Sequence, residues 1–559
     1  MPKKRESSDT VPEDKLYVWR GGKKIELVRE TDRFTVMPAS KEHLSKLRQA
    51  PGVRNIKAVT NQVFKVETTP VERDNTMSSL RSETFDAIVH HAYRPKGSEG
   101  TIYYLTDKIF VTFKPGASAQ QINGLLEKYS LRVLKEYEEE KNTFLLQVTS
   151  SSGINPIKVA NLMAEEDQVA SAEPNMVNRF INAFKPSDPY FRKQWHLSAE
   201  TGVQLLQEAS VDAPAAWDLT KGIRKIVVAV IDDGFDLSHP DFTGKGKIVF
   251  PKDYVDGDSR PYPEKEEGDY HGTPCAGVAI AESNGRGVVG IAPGCAFMPV
   301  RFPLSADDDL LIEIFEETAA HADVISCSWG PPPVYAPLSL MFSKTITRLA
   351  TSGGPRQKGC VICFAAANFD APINDPVNKD GFTWLQYNGT LRKTTGPILN
   401  GNAAHPKVIA VAASTSLNKH AVYSNWGKEI SVCAPSNNFH PLDPQKFVPG
   451  RGIWTTDNET YGEGFTAHSR YTGQFGGTSS ATPLAAGVAA LVLSVNPGLT
   501  ATQVKEILEI TADKIIDNDP DMILGTNRGD YLNGHSDWFG YGKVNAARAV
   551  GEAKKRSVK

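Results

Sequence analysis

Cysteine is scarce in this sequence: there are 6 in 559 residues, and none precedes Cys275. Small secreted scaffolds held together by disulfides are far richer in cysteine, so that class is excluded. Cys360 and Cys363 form a C-x-x-C pair, but they lie within the apolar run 360–366 and no second pair accompanies them. We therefore interpret both as reduced core residues rather than as zinc or redox ligands.

The sequence also lacks an excess of either charge. Lys and Arg number 62, Asp and Glu number 65, and the formal net charge is −3. A protein that binds nucleic acid normally shows a basic balance or a basic face, so we expect no nucleic-acid partner. A wholly disordered chain is excluded as well, because hydrophobic residues make up 40% of the sequence.

Long apolar runs are absent too. Residues 1–15 are polar and begin with a basic stretch, without the apolar core of a secretory signal. The most apolar run, 483–495, is shorter than the ~20 residues that a membrane-spanning helix needs. We therefore expect a soluble, cytoplasmic protein without a membrane partner, and residues 1–15 are predicted to be a disordered tail.

The first third of the chain has the pattern of short strands and helices that is typical of an α+β region. Residues 101–180 read as strand, helix, two strands, helix and strand, which is the β-α-β-β-α-β order of a ferredoxin-like unit. Residues 16–100 contain a weaker copy of the same order, which indicates a tandem repeat. A single irregular α+β extension is the alternative interpretation of residues 16–100.

Residues 186–550 have a different pattern, in which fully apolar strands alternate with helices. Such strands are typical of a parallel sheet that is covered on both faces, so we predict a doubly wound, mostly parallel α/β domain here. The last residues, 551–559, are predicted to be a basic, solvated tail. The predicted strands are 225–231, 324–327, 360–366 and 408–413, and the predicted helices include 273–281, 310–321 and 480–495.

Three motifs carry the residues of a nucleophilic site. Asp232 ends a buried strand, His271 begins a helix of small residues, and Ser479 stands at the start of an apolar helix after two glycines. Each motif alone is weak, because turns and helix caps use the same residue types. Together, in the order Asp, His, Ser and in strand and helix contexts, they predict a serine hydrolase.

These motifs resemble those of the subtilisin-like serine proteases (peptidase S8). Several segments are most similar to the kexin and furin branch, and cyanobacterial-type calcium-dependent, trypsin-like subtilases are a second resemblance. The resemblance implies a subtilisin-like fold and hydrolysis of peptide bonds through an acyl-enzyme. The segments are DPYFRKQWHL (188–197), DDG (232–234), HGTPCAG (271–277), SWGP (328–331) and PLAAG (483–487).

The resemblance also implies a role for each catalytic residue. Ser479 is expected to be the nucleophile, His271 the general base and Asp232 the group that orients the imidazole. Asn368 and the backbone N–H of Ser479 are expected to bind the oxyanion. The family usually has glycine before this asparagine, whereas this chain has Ala367.

Substrate binding is assigned through the same resemblance. Ser328, Trp329 and Gly330 are expected to pair with an extended substrate. Asp233 and Asp380 match acidic residues that contact basic side chains in the kexin branch, which implies a preference for Arg or Lys before the cleaved bond. Pro332 and Pro333 replace an acidic residue of that branch, so strict dibasic recognition is not expected.

Calcium is the cofactor that the resemblance implies. The family's strong site corresponds to Asp188, Asp241 and the loop 282–288, with Asn284 offering a side-chain oxygen. A second calcium site of the furin type is expected to be altered, because its positions fall on Pro332 or Pro333, near Asp375, and on Asn425. The loop's carbonyl ligands are expected from Glu282, Arg286 and Val288.

The ferredoxin-like region resembles a subtilase propeptide, which assists folding and inhibits the protease. Its C-terminal segment is expected to lie in the active site and to be cleaved by the protease itself after Arg179. The leading hypothesis is therefore a calcium-dependent serine endopeptidase that is made as a self-inhibited zymogen and acts on protein or peptide substrates. The alternatives are an inactive subtilase fold that binds peptides and a scaffold protein that uses the N-terminal units.

Overall fold

The computed structural model describes residues 16–38, 40–81, 87–97, 102–177, 184–386, 388–525, 527–528 and 531–557. The chain forms two compact units, Met1–Asn182 and Ala183–Lys559. The tail predicted at 1–15, the boundary predicted at 100–101 and the predicted cleavage residue Arg179 all lie outside the described residues.

The first unit is built from one antiparallel sheet with helices attached to it. Its elements are β1 Tyr17–Arg20, β2 Lys23–Pro38, α1 Lys41–Leu47, β3 Asn55–Ala58, β4 Phe64–Glu67, α2 Arg73–Leu80, β5 Ala87–Pro95, β6 Tyr103–Phe113, α3 Ala119–Lys128, β7 Leu131–Glu136, β8 Thr143–Val148, α4 Pro156–Ala164 and β9 Val169–Val177.

The strand order of this sheet shows two copies of one motif. The order is β3-β4-β2-β5-β6-β8-β7, with β1 beside β2 and β9 beside β6. Elements β2 to β5 and elements β6 to β9 each follow the order strand, helix, strand, strand, helix, strand. The copies meet where Ala92 of β5 lies opposite Tyr104 of β6, so the two regions share one sheet.

Local sequence signals explain the helices of the second copy. Ser118 and Gln121 form a reciprocal capping box at the start of α3, where each side chain bonds to the other's backbone. Asn155 caps α4, and Pro156 occupies the first helical position, where no N–H is required. The apolar face of α4 is then buried against the sheet through Val159 and Met163.

The second unit has an α/β architecture. Its elements are α5 Ala213–Trp217, β10 Val227–Asp232, β11 Lys252–Asp253, α6 Gly272–Ile280, β12 Ala296–Arg301, α7 Asp308–His321, β13 Val324–Cys327, β14 Tyr335–Ala336, α8 Leu340–Ser352, β15 Val361–Ala365, β16 Asn374–Asp375, β17 Phe382–Leu385, β18 Leu391–Thr394, β19 Ile398–Asn400, β20 Ile409–Ser414, β21 Val432–Pro435, β22 Ile453–Thr456, β23 Tyr471–Phe475, α9 Thr478–Val495, α10 Ala501–Ile510 and α11 Ala546–Ser557.

The main sheet of this unit is parallel and is buried on both faces. Its order is β11-β12-β10-β13-β15-β20-β21, and every neighbouring pair is parallel. Alternate residues of β10 belong to two different cores: Val228 and Val230 pack with α6 and α9, while Ala229 and Ile231 pack on the opposite face with α7 and α8. The predicted doubly wound α/β fold is therefore confirmed.

The last helix of this unit, α11, differs from the sequence expectation. The predicted tail at 551–559 is wrong as far as Ser557, because α11 continues to that residue and buries Ala553. The pair Glu552 and Arg556, one turn apart, adds a 3.0 Å ion pair to this last part of the helix. One described helix, α9, is long and apolar enough to cross a membrane, but 89% of its apolar window is buried inside the unit.

Candidate active site

The carboxyl end of β10 and the start of α6 bring Asp232 and His271 together. Asp232 is the last residue of β10, and His271 is the N-cap of α6. The two side chains join through Asp232 Oδ1 and His271 Nδ1, which are 2.8 Å apart. Burial lowers the pKa of His271 and the Asp232 carboxylate raises it, and the net result is a pKa well above the ordinary value.

Asp233 lines the same groove, and its carboxylate is bonded to the backbone around His271. Its carboxylate accepts the backbone N–H groups of Tyr270, His271 and Gly272 at 2.7 to 3.1 Å. Burial, together with the neighbouring Asp232, raises the pKa of Asp233 to about 6. The structure therefore uses this carboxylate to hold the segment around His271, and contact between Asp233 and a substrate stays a prediction.

Ser479 lies in the first turn of α9, where backbone N–H groups have no intrahelical acceptor. Its hydroxyl donates to the carbonyl of Ser328 at 3.3 Å. Pro483, four residues later, has no N–H to donate to the carbonyl of Ser479. That carbonyl instead accepts the hydroxyl of Ser328 at 3.2 Å and the thiol of Cys275 at 3.5 Å. The proline therefore frees a carbonyl that ties Ser479 to the residue after β13 and to α6.

Asn368 is oriented by the residue before the nucleophile. Its Oδ1 accepts the backbone N–H and the hydroxyl of Thr478, at 2.8 and 2.9 Å. The amide N–H₂ must then point the other way, and Nδ2 lies 3.0 Å from the position that a Cβ on Gly477 would occupy. Asn368 therefore presents a donor beside the start of α9, and its role in binding an oxyanion stays a prediction.

Ala367 adopts the backbone conformation that the family usually gives to glycine. Its φ is +84°, in the left-handed region that an L side chain rarely adopts. Its N–H donates to the hydroxyl of Thr478 at 3.2 Å, and its carbonyl accepts the N–H of Asn425 at 3.0 Å. These bonds hold the peptide before Asn368 in a strained conformation.

Two residues after β21 hold Gly477 and were not singled out by the sequence analysis. Asn437 Oδ1 accepts the N–H of Gly477 at 2.9 Å, and the hydroxyl of Ser436 donates to its carbonyl at 2.8 Å. Tyr423 donates in turn to Ser436 at 2.7 Å. No local signal points to them, because they lie some 40 residues from Gly477 along the chain.

A groove of about 900 Å³ is lined by Asp232, His271, Asn368 and Ser479. Its lining includes Ser328, Trp329 and Gly330, the segment expected to pair with substrate. The indole N–H of Trp329 donates to the carbonyl of Ile231 at 2.9 Å, which fixes this segment against β10.

Asp380 is not among the residues that line this groove, so the structure does not bring it to the predicted pocket floor. It is exposed in a turn before the hairpin of β17 and β18. The next residue, Gly381, has a φ of +71°, and Asn378 donates to the carbonyls of Thr394 and Gly396. These contacts hold the turn at the base of the hairpin.

The residues predicted to bind calcium form one loop cluster. Asp188 accepts the N–H groups of Asn284 and Gly285 at 3.0 and 3.1 Å, and Asp241 accepts the N–H of Val288 at 3.2 Å. Both carboxylates are buried, and burial and the neighbouring Asp188 raise the pKa of Asp241 to about 7. Two buried carboxylates beside loop carbonyls are oxygen donors of the kind that a hard cation such as calcium prefers.

The other members of the set differ in orientation. Asn284 directs Nδ2 to Asp241 Oδ1 at 3.2 Å, so its predicted role as an oxygen ligand requires the amide to turn over. Arg286 donates its backbone N–H to Asn284 Oδ1 at 2.9 Å. The N–H of Glu282 donates to the carbonyl of Asp241 at 2.9 Å, while its carboxylate pairs with Arg224.

Comparison with known proteins places the second unit in a family. The model of the subtilase family, peptidase S8, matches residues 224–542. A calcium-dependent protease of Nostoc sp. (strain PCC 7120) is 34% identical over 472 residues, which are 81% of this chain and 64% of that protein. Protease KEX1 of Kluyveromyces lactis is 28% identical over 381 residues, 66% of this chain and 43% of that protein.

A solved structure has the same fold. The complex of the Aeromonas sobria serine protease with the chaperone ORF2 matches with a TM-score of 0.53 and 20% identity, over 67% of this chain and 68% of that one. This chain spans 64% of the length of the Nostoc relative. Because the subtilase model covers more than half of its residues, this chain belongs to the subtilase family.

Proposed function

We propose that this protein is a serine endopeptidase that uses Ser479, His271 and Asp232. The observation that carries the proposal is the 2.8 Å bond between Asp232 and His271 in the groove that Ser479 and Asn368 also line. The calcium-dependent protease of Nostoc and Protease KEX1 support the same activity through their names.

The geometry supports a definite sequence of steps. The hydroxyl of Ser479 turns from the Ser328 carbonyl toward His271, attacks the scissile carbonyl and transfers its proton to the imidazole. Asp232 stabilises the imidazolium, which then protonates the leaving amine. The amide of Asn368 and the N–H of Ser479 stabilise the oxyanion. Water then attacks the acyl carbonyl while His271 takes a proton from it, and His271 returns that proton to Ser479 Oγ as the C–O bond to the serine breaks and the acid product leaves.

Labelling with a fluorophosphonate probe tests the nucleophile. Because the N-terminal unit is proposed to block the site, the probe is added after limited proteolysis has removed that unit. It should then modify Ser479, and Ser479→Ala should abolish both the labelling and the hydrolysis of a peptide library. Ser480→Ala is the matched control, since Ser480 is also buried at the start of α9 and bonds to Ser436 instead. An unlabelled but folded wild-type chain would favour the alternative of an inactive peptide-binding module.

Calcium dependence is the second part of the proposal. Bound calcium would neutralise Asp188 and Asp241 and so join the loop 282–288 to the segment that contains Asp188. A chelator should lower the melting temperature of wild-type protein. It should have less effect on Asp241→Asn than on the control Asp258→Asn, which changes an exposed ion pair. Equal effects on both variants would place the calcium elsewhere.

A preference for Arg or Lys before the cleaved bond is the third part. Acidic residues support it, since Glu267 and Asp308 line the groove together with Asp233. Cleavage of a peptide library should be richest after basic residues, and Asp233→Asn should change the preference if Asp233 reaches the substrate. Cleavage after apolar residues by wild-type protein would contradict this part.

The N-terminal unit is proposed to be an inhibitory prodomain. The support is its β-α-β-β-α-β order and the resemblance to subtilase propeptides. Incubation should produce a new N-terminus after Arg179 in wild type and none in Ser479→Ala. Identical processing of both proteins would show that another protease makes the cut.

A further inference from the structure

A buried carboxylate lies two residues after Asn368, on the same loop. Asp370 is fully buried and has a φ of +54°. Within the part of the chain that the structure describes, neither of its carboxylate oxygens has a hydrogen-bond partner. Buried polar atoms in native proteins are almost always bonded, so an unmet charged group at this position requires an explanation.

The group that faces Asp370 is a second carboxylate. Asp521, in the segment between α10 and α11, is 2% exposed, and its carboxyl group acts directly on that of Asp370. Asp521 Oδ1 accepts the N–H groups of Ile523 and Leu524 at 2.8 and 2.7 Å. Two ionised carboxylates offer only acceptors to each other, so a positive species between them is needed.

The nearest cation does not meet this need. Arg528 lies 2.8 Å from Asp517 and 3.3 Å from Asp521, and both pairs are buried. Three buried carboxylates and one guanidinium leave a net charge of −2. Burial, followed by Asp521, raises the pKa of Asp370 to about 9, so this charge count applies to an ionised Asp370, and without a cation the carboxyl group holds a proton at neutral pH. A single shared proton would leave one negative charge buried, whereas a divalent cation would leave none.

We propose that Asp370 and Asp521 hold a hard divalent cation of the calcium class, at a site separate from Asp188 and Asp241. Carboxylate oxygens are the ligands that such ions prefer, and carbonyls and water can complete the shell. The ion would join the loop that carries Asn368 to the segment before α11. It would therefore stabilise the loop of the oxyanion donor without touching the substrate.

Calcium stoichiometry tests the site in the full chain with Ser479→Ala, which prevents self-digestion. Native mass spectrometry should find one calcium fewer in Asp370→Asn than in this parent. The rise in melting temperature on adding calcium should also be smaller. The control is Asp519→Asn, which lies in the same segment but changes an exposed pair with Lys419 and should leave both readouts unchanged.

The asparagine variant separates a cation from a proton, because Asn mimics a protonated Asp but is a poor calcium ligand. Unchanged calcium content, with the same or a higher melting temperature, would overturn the proposal in favour of a shared proton. A second measurement avoids changing a ligand. The indole of Trp426 donates to the carbonyl of Asp370 at 3.2 Å, so it can sensitise the emission of terbium bound at this site. Trp426→Phe should therefore reduce the sensitised emission of bound terbium. Unchanged emission would also overturn the proposal.

Discussion

Thr478 connects the loop of Asn368 to the helix that carries Ser479. Its hydroxyl accepts the N–H of Ala367 and donates to Asn368 Oδ1, while its own N–H donates to the same oxygen. One small side chain therefore holds both the strained peptide at Ala367 and the direction of the Asn368 amide, the proposed oxyanion donor. Asn368 supplies the amide donor, and Thr478 fixes the direction in which that donor points.

Replacing Thr478 with valine should lower kcat about fivefold with little change in KM. Valine keeps the shape and removes the hydroxyl, so Asn368 loses one of two bonds that orient it, worth about 1 kcal/mol. Steady-state kinetics with a peptide substrate would measure this. Asn368→Ala should be the lower limit, because loss of an oxyanion donor costs about 10²–10³ in kcat in the best-studied subtilase. A Thr478→Val enzyme with wild-type kcat would contradict the role.

Replacing Ala367 with glycine should stabilise the protein by about 0.5–1 kcal/mol, since glycine adopts a φ of +84° without steric cost. Urea unfolding would measure the change. Ala366→Gly is the control: this buried neighbour has no such conformation to relieve, so glycine should destabilise it by about 1 kcal/mol. A loss of stability in Ala367→Gly would show that the hydrogen bonds around the loop, rather than strain, dominate.

Helix α9 carries site residues in its first turn and forms part of the hydrophobic core along the rest of its length. Its first turn carries Thr478 and Ser479, and the rest of the helix is an almost completely buried core element. Pro483 lies at the transition, where it releases the carbonyl of Ser479 to Ser328 and Cys275. The helix is therefore fixed by apolar packing, and its start is fixed by polar bonds to neighbouring strands and helices.

Gly477, the N-cap of α9, should not tolerate a side chain. A Cβ there would lie 3.0 Å from Asn368 Nδ2, at a φ of +69°. We expect Gly477→Ala to lower kcat by at least tenfold, because the oxyanion donor must move. Gly389→Ala is the matched control: its φ is +79° with nothing within 4 Å, so it should lose about 1 kcal/mol of stability and keep its kcat. Equal kcat values for both variants would contradict the prediction.

Activity and stability of the whole protein should respond to pH in opposite directions. His271 must be neutral to accept a proton, and its pKa is raised by Asp232. Activity on a neutral ester should therefore rise with pH through that raised pKa. The same ion pair contributes stability that is complete below the unfolded pKa of about 6.5 and is lost as pH rises through the folded pKa.

A pH–rate profile and a matching series of melting temperatures would check this. Asp232→Asn should move the lower limb of the profile to more acid pH and lower kcat by about 10⁴, since the imidazole loses its orienting carboxylate. A flat profile across neutral pH in the wild-type protein would count against His271 as the base.

Much of the fold could be predicted from sequence because its signals are local. Each signal predicts the structure of the few residues around it. Examples are the apolar strand 360–366, the helix starts at Ser118 and Asn155, and the glycines before Ser479. The end of α11 was missed, because burial of Ala553 depends on what packs against it rather than on the charged residues beside it.

The sequence by itself determined which chemical groups the site contains: a carboxylate, an imidazole, a hydroxyl and an amide in motifs that keep their spacing. Tertiary structure alone decided how those groups are used. It placed the Asp233 carboxylate on backbone N–H groups, left Asp380 in solvent and put Asp370 against Asp521. The physical reason is that burial and competition for hydrogen bonds join residues far apart in the chain, where no local pattern records them.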